Sequence, residues 1–126
     1  RLMAMTDPEL VYLLFDSGHL TFAGVDPVPV LKKYVDRVRH VHLKDVRLNV
    51  CDRAQREGWS FLKAVREGVF TVPGDGDVDF LPIFEILDQA GYAGWLVVEA
   101  EQDPAKANPL EYAQKARRYL HDKTGL

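Results

Sequence analysis

The chain is short of several things, and each shortage excludes a class of protein. It has one cysteine, Cys51, in 126 residues. No internal disulfide framework can hold it together, and the composition fits a reducing compartment. In a helical context Cys51 reads as a partly buried, small apolar residue. Long apolar runs are absent too: the longest, Leu10 to Phe15, is far below the ~20 residues that cross a bilayer. No basic segment precedes a signal-like apolar stretch, so no membrane partner is expected and the cytoplasm is the default location. Nor is positive charge in excess, because 16 Lys and Arg against 19 Asp and Glu leave a formal net charge of -3. Without a clustered basic stripe, neither nucleic acid nor an anionic surface is expected as the main partner. A small polar substrate is easiest to accommodate.

What is there is a soluble-domain composition, 47% apolar, with strand and helix patterns in alternation. VYLLFD (11 to 16) is a near-continuous apolar run of the kind covered on both faces. DSGHLTFAG follows as a loop, and Asp26-Pro27 marks a helix start, with Asp26 as N-cap and Pro27 in the first turn. HVHLKD (40 to 45) comes next, its Val41 and Leu43 alternating with inward-facing His40, His42 and Lys44. Residues 52 to 67 read as one polar helix stopped by Gly68. TVPGDGDVDF is a turn-rich stretch leading to a helix over 80 to 90 with Asp79 as N-cap. WLVVEAE (95 to 101) is a third strand, and a last helix follows Asn108-Pro109 to about Asp122.

The order β-α-β-α-α-β-α, with connections too long for hairpins, calls for a parallel sheet with helices packed outside it. Residues 1–126 therefore form a single α/β domain, the C-terminal part of a (β/α)8 barrel. About three βα units are present, roughly half of the ~250 residues a closed barrel needs. The chain opens on Arg1 inside an apparent helix end, as a piece of a longer chain would. Open sheet edges then favour a homo-oligomer or association with another chain.

Barrel enzymes place their chemistry where parallel strands end, and polar residues gather there in this chain. Asp16 ends its strand in phase with Tyr12 and Leu14 and should face the barrel axis. A carboxylate there needs a cation, hydrogen bonds or solvent to receive it; taken alone, it caps a helix or turn. His19, three residues on, overhangs the strand mouth, where an imidazole can meet a substrate oxygen. His42 can offer a neutral imidazole to Mn, Co, Fe or Zn, whereas the deeper His40 suits a structural hydrogen bond. Lys44 and Asp45 sit at the rim. There Lys44 could hold a substrate hydroxyl, stabilise an oxyanion or form a surface ion pair, and Arg47 is a weaker candidate for substrate contact. Glu99 and Glu101 share inward parity but are separated by about 6.5 Å along the strand, too far to be ligands at one height. Two other patterns carry no site. DGDVD at 75 to 79 begins like a calcium loop but has Ile86 where that loop requires glutamate, so it is a turn and cap. GDGD lacks the spacing of a dinucleotide fingerprint.

Four segments carry a family resemblance: FDSGHLTFAG, HVHLKDV, GVFTVPGDGDVDF and GYAGWLVVEAEQDPAKANPLEYA. They closely resemble the C-terminal half of the inosose dehydratases, a family of myo-inositol breakdown within the xylose isomerase-like superfamily of sugar isomerases and epimerases. The resemblance implies a divalent metal, usually Mn or Co, held by Glu, Asp, His and Glu from successive late strands. Asp16, His42 and Glu99 correspond to the last three, and the first glutamate would lie upstream of Arg1. It implies further that His19 contacts substrate and that Glu101 is a rim residue contacting substrate or orienting a ligand.

The chemistry that fits is metal-assisted proton abstraction beside a carbonyl, giving an enediolate. Loss of the β-hydroxyl then completes a dehydration, whereas reprotonation on the other face completes an epimerisation. The resemblance implies a hydro-lyase acting on 2-keto-myo-inositol (scyllo-inosose). Glu99 would then serve as ligand and acid/base, with His19 and Lys44 on the substrate hydroxyls or leaving group. A sugar epimerase or isomerase of the same superfamily, and a catalytically silent half-barrel acting as an assembly partner, are the alternatives.

Overall fold

A computed structural model describes all residues, 1–126. Three parallel strands form its sheet: β1 (Leu13–Asp16), β2 (Val38–Leu43) and β5 (Leu96–Val98), in the order β1-β2-β5. Asp16 pairs with His42 and His42 with Val97, so the strands end at one level and on one side. One face of the sheet packs against α2 (Pro27–Tyr34) and α5 (Leu81–Gln89). There Phe15, Val38, Val41 and Leu43 meet Leu31, Phe80, Ile83 and Leu87 in one core. The other face carries Leu14, His40, His42 and Val97, none of them buried. The strand alternation expected of β2 is therefore present, with Val41 and Leu43 fully buried against the helices.

Capping chemistry sets several boundaries where the sequence places them. Asp26 accepts from Val28 N at 2.9 Å to start α2, and Asn108 accepts from Leu110 N at 3.0 Å to start α6 (Pro109–Thr124). The N-cap expected at Asp79 is corrected: Phe80 holds that position before α5 without a side-chain cap, and Asp79, one residue earlier, accepts from Leu81 N at 3.1 Å.

Three features depart from the expected order. DSGHLTFAG is not a loop: Ser17–Phe22 form a short helix, α1, because Asp16 caps it by accepting from His19 N at 2.9 Å. The single helix over 52 to 67 is two, α3 (Leu48–Arg56) and α4 (Phe61–Arg66). Gly58 in the left-handed region (φ 63°) ends the first, and Ser60 restarts the second by accepting from Lys63 N at 3.2 Å. Lastly, β3 (Asp45–Val46) and β4 (Phe70–Thr71), separated in the chain by α3 and α4, form a two-stranded antiparallel pair beside the parallel sheet. A second core lies under it, built from Val46, Cys51, Ala54, Ala64, Val69 and Phe70.

Asp45 organises that strand pair. It is buried, and its carboxylate accepts from the backbone N of Val46, Gly74, Gly76 and Val78 at 2.8 to 3.1 Å. The expected rim position is corrected: Asp45 is the hub around which the 72–78 loop is wound. A Cβ on Gly76 would stand 2.5 Å from its Oδ1, so the loop can close only on glycine there.

Candidate metal centre and its charged surround

The strand ends bring Asp16, His42 and Glu99 together. One ligand atom from each lies within 4.8 Å of the others. Asp16 divides its two oxygens: Oδ1 caps α1, while Oδ2 stands 3.5 Å from His42 Nδ1. Helix cap and inward-facing donor are thus one residue doing both. Glu99 follows the last residue of β5, tied to β2 by its backbone N on Leu43 O at 3.4 Å, and its Oε2 lies 2.6 Å from His42 Nδ1. Burial raises the Glu99 carboxyl, but the Lys44 ammonium and His42 outweigh it and hold it below the usual range. Two carboxylate oxygens and an imidazole nitrogen converging this closely suit a divalent ion of intermediate softness.

Lys44 is the largest correction to the sequence reading. It is not at the rim but fully buried. Its Nζ donates to Glu101 Oε2 at 2.6 Å and to His19 Nε2 at 2.9 Å, with Glu99 Oε2 at 3.3 Å and Asp16 Oδ2 at 3.7 Å. Three carboxylates account for the burial, since an ammonium out of water needs opposite charge and hydrogen bonds around it. No buried side-chain nitrogen or oxygen in the molecule is left without a partner.

His19 sits on α1, not on a loop, with its ring stacked on Phe61 (centroids 5.9 Å apart, 25° between planes) and edge-on to Phe70 at 5.3 Å. Glu101 reaches Lys44 from a backbone at φ 43°, the one residue other than glycine with positive φ. Strand parity therefore does not place it; the irregular segment after β5 does. His40 meets the His42 ring edge at 5.1 Å in place of the expected hydrogen bond.

Arg47 does not join the cluster. Its guanidinium donates to Gly68 O at 2.8 Å, Thr71 Oγ1 at 3.1 Å and Asp75 Oδ2 at 2.6 Å, which uses it to clasp the β3–β4 pair and leaves substrate contact without support. Sequence reading missed Ser17, Gly18, Phe61 and Phe70 around the site. Of these only Gly18 carried a signal, as a glycine in a segment that proves helical.

The xylose isomerase-like TIM barrel family matches the chain over residues 1–123, and the chain belongs to that family. Its relatives include inosose dehydratases: that of Clostridium beijerinckii is 61% identical over 126 residues, that of Clostridium perfringens 63% and that of Geobacillus thermodenitrificans 62%. In each case all of this chain is covered and 42% of the relative. The resemblance seen in four segments thus extends along the whole chain. A solved sugar phosphate isomerase/epimerase from Parabacteroides distasonis superposes with a TM-score of 0.66 at 23% identity, over 94% of this chain and 34% of that one. A xylose isomerase domain protein from Planctomyces limnophilus gives 0.63 at 23% identity, over 98% of this chain and 40% of that one. These two establish the fold: three parallel strands with outer helices, part of a (β/α)8 barrel.

Proposed function

We propose that this chain is part of a hydro-lyase of the inosose dehydratase type, acting on 2-keto-myo-inositol. The observation that carries the reading is the convergence of Asp16, His42 and Glu99 at the strand ends with the buried Lys44 ammonium beside them. Identity of 58% or more to proteins named inosose dehydratase supports the substrate class.

Asp16, His42 and Glu99 would hold the divalent ion, Mn or Co. When bound, that ion supplies Lewis acidity at a carbonyl and its neighbouring hydroxyl. The chain's own groups supply the rest. Glu99, held ionised next to Lys44 and His42, takes the proton α to the carbonyl. Lys44 offsets the negative charge that develops on the substrate oxygens as that C–H bond breaks, giving the enediolate. His19, fixed by Phe61 and Phe70, gives a ring N–H proton to the departing β-hydroxyl, which leaves as water as its C–O bond breaks. Glu101 keeps the Lys44 ammonium in place and contacts substrate hydroxyls from the rim.

The test is Glu99→Gln in the complete gene product, with metal content and turnover of scyllo-inosose both measured. Turnover should fall by roughly 10²–10⁴-fold with weaker Mn(II) binding by calorimetry; unchanged metal content and unchanged turnover would overturn the assignment. Product analysis with inosose against free ketoses separates dehydration from isomerisation. A chain that binds no Mn(II) under any condition would instead support the silent half-barrel.

A further inference from the structure

Lys44 has an unusual neighbour. Gly18 is the second residue of the six-residue α1, where alanine is the better helix former. Its backbone does not need glycine, since it is not among the residues with positive φ. Space explains it instead. A Cβ at Gly18 would stand 2.5 Å from Lys44 Cγ and 2.8 Å from both Cβ and Cδ. Those are the middle atoms of the side chain, not its free end.

The lysine has nowhere to retreat. Ser17 Oγ donates to Lys44 O at 2.8 Å and accepts from Lys44 N at 3.1 Å, which pins the backbone. Phe70, itself buried, has its ring centroid 5.0 Å from Nζ. Beyond the stem, the ammonium ends among Glu101, His19, Glu99 and Asp16. The segment Asp16-Ser17-Gly18 therefore has a distinct task at each position. Asp16 caps α1 and faces the cluster, Ser17 holds the Lys44 backbone, and Gly18 leaves the channel through which the stem passes.

We propose that Gly18 is a positioning residue, kept side-chain-free in a helix so that Lys44 can deliver its ammonium to the strand-end cluster. The functional part rests on the role given above to Lys44. A local preference broken in exchange for placing a reactive group is what a functional site leads one to expect.

The experiment is a double-mutant cycle in the complete gene product, with Gly18→Ala made in three backgrounds: Lys44, Lys44→Met and Lys44→Ala. The methionine keeps the stem without the charge, and the alanine removes both. Gly18→Ala should lower the melting temperature by about 3–6 °C in the first two backgrounds. In the third it should lower it by clearly less, because the contacts with Cγ and Cδ are gone and only the one with Cβ remains. With Lys44 present, Gly18→Ala should lower kcat for scyllo-inosose on the order of 10²-fold with little change in KM; with Lys44→Ala it should cause no further loss.

Equal destabilisation in all three backgrounds would overturn the steric link. Stability coupling without any fall in kcat would make Gly18 a packing residue only and would overturn the positioning role. If Lys44→Met and Lys44→Ala themselves leave turnover intact, the reading of Lys44 fails and the functional half of this proposal falls with it. The stability cycle still judges the steric half on its own.

Discussion

At the scale of single residues, Asp45 and Lys44 show how far burial changes what a charged side chain does. Both come from the end of HVHLKD, where charged residues at a strand end look like rim groups, yet Lys44 is 0% and Asp45 1% exposed. Burial pushes the Asp45 carboxyl above its usual range despite four backbone N–H groups acting the other way. The geometry makes a prediction. Oδ1 serves Val46 and Val78, and Oδ2 serves Gly74 and Gly76. Asp45→Asn exchanges one acceptor oxygen for a donor, so two N–H groups lose their partner. Stability should drop by about 2–4 kcal/mol, measured by urea unfolding, with the 72–78 loop becoming the first protease-sensitive segment. Cys51 follows the same logic in an apolar setting. Burial raises its thiol, so it should react with a disulfide reagent only as the fold opens, as timed against unfolding by absorbance.

At the scale of elements, helix starts were legible and strand partners were not. Asp26, Asp79 and Asn108 act on the N–H groups of their own next turn, and information that local survives in a linear string. Ser60 and Gly58 carried the same kind of signal for the break between α3 and α4 and could have been read. The β3–β4 pair could not, because its strands lie on either side of two helices and Asp45 reaches residues about thirty positions away. The three aspartates of DGDVD illustrate the division. Asp79 accepts from Leu81 N just ahead of its own helix, Asp77 accepts from Leu48 N at the head of α3, and Asp75 joins Arg47, Thr71 and Lys115. This last group ties α6 to the β3–β4 pair and gives a pH prediction. Burial raises the Asp75 carboxyl, but hydrogen bonds from Lys115, Thr71 and Arg47 outweigh it and hold it below its ordinary range. A carboxylate lowered on folding stabilises the protein above its unfolded value, and that stabilisation is lost as pH falls toward the folded one. The melting temperature should therefore decline in acid from about pH 5 downward. Asp75→Asn should flatten that limb and cost about 1–3 kcal/mol near neutrality, both read by calorimetry across a pH series.

At the scale of the molecule, the sheet has an open edge on each side, that of β1 and that of β5. Leu14 on the inward face is 49% exposed and Trp95, just before β5, is 79% exposed. Such edges invite pairing, and the chain is expected to self-associate as its concentration rises. Sedimentation velocity should show the mean mass climbing, and Leu14→Lys should suppress the rise; a monomer at all concentrations would remove edge pairing from consideration. No helix is long and apolar enough to cross a membrane.

The sequence by itself determined the α/β alternation, the parity of the strands and the residues at their ends, because these rest on contacts between near neighbours and on the two-residue period of a strand. It also carried the family, in four ordered segments. Only the tertiary structure decided what those end residues meet. Asp16 shares its oxygens between a helix and the cluster, Arg47 turns away to Asp75, and Lys44 is enclosed by carboxylates that arrive from separate strands and turns. A charge at a strand end has the same one-letter code whether it faces water or three acids, and the choice between them is made by residues up to 57 positions away.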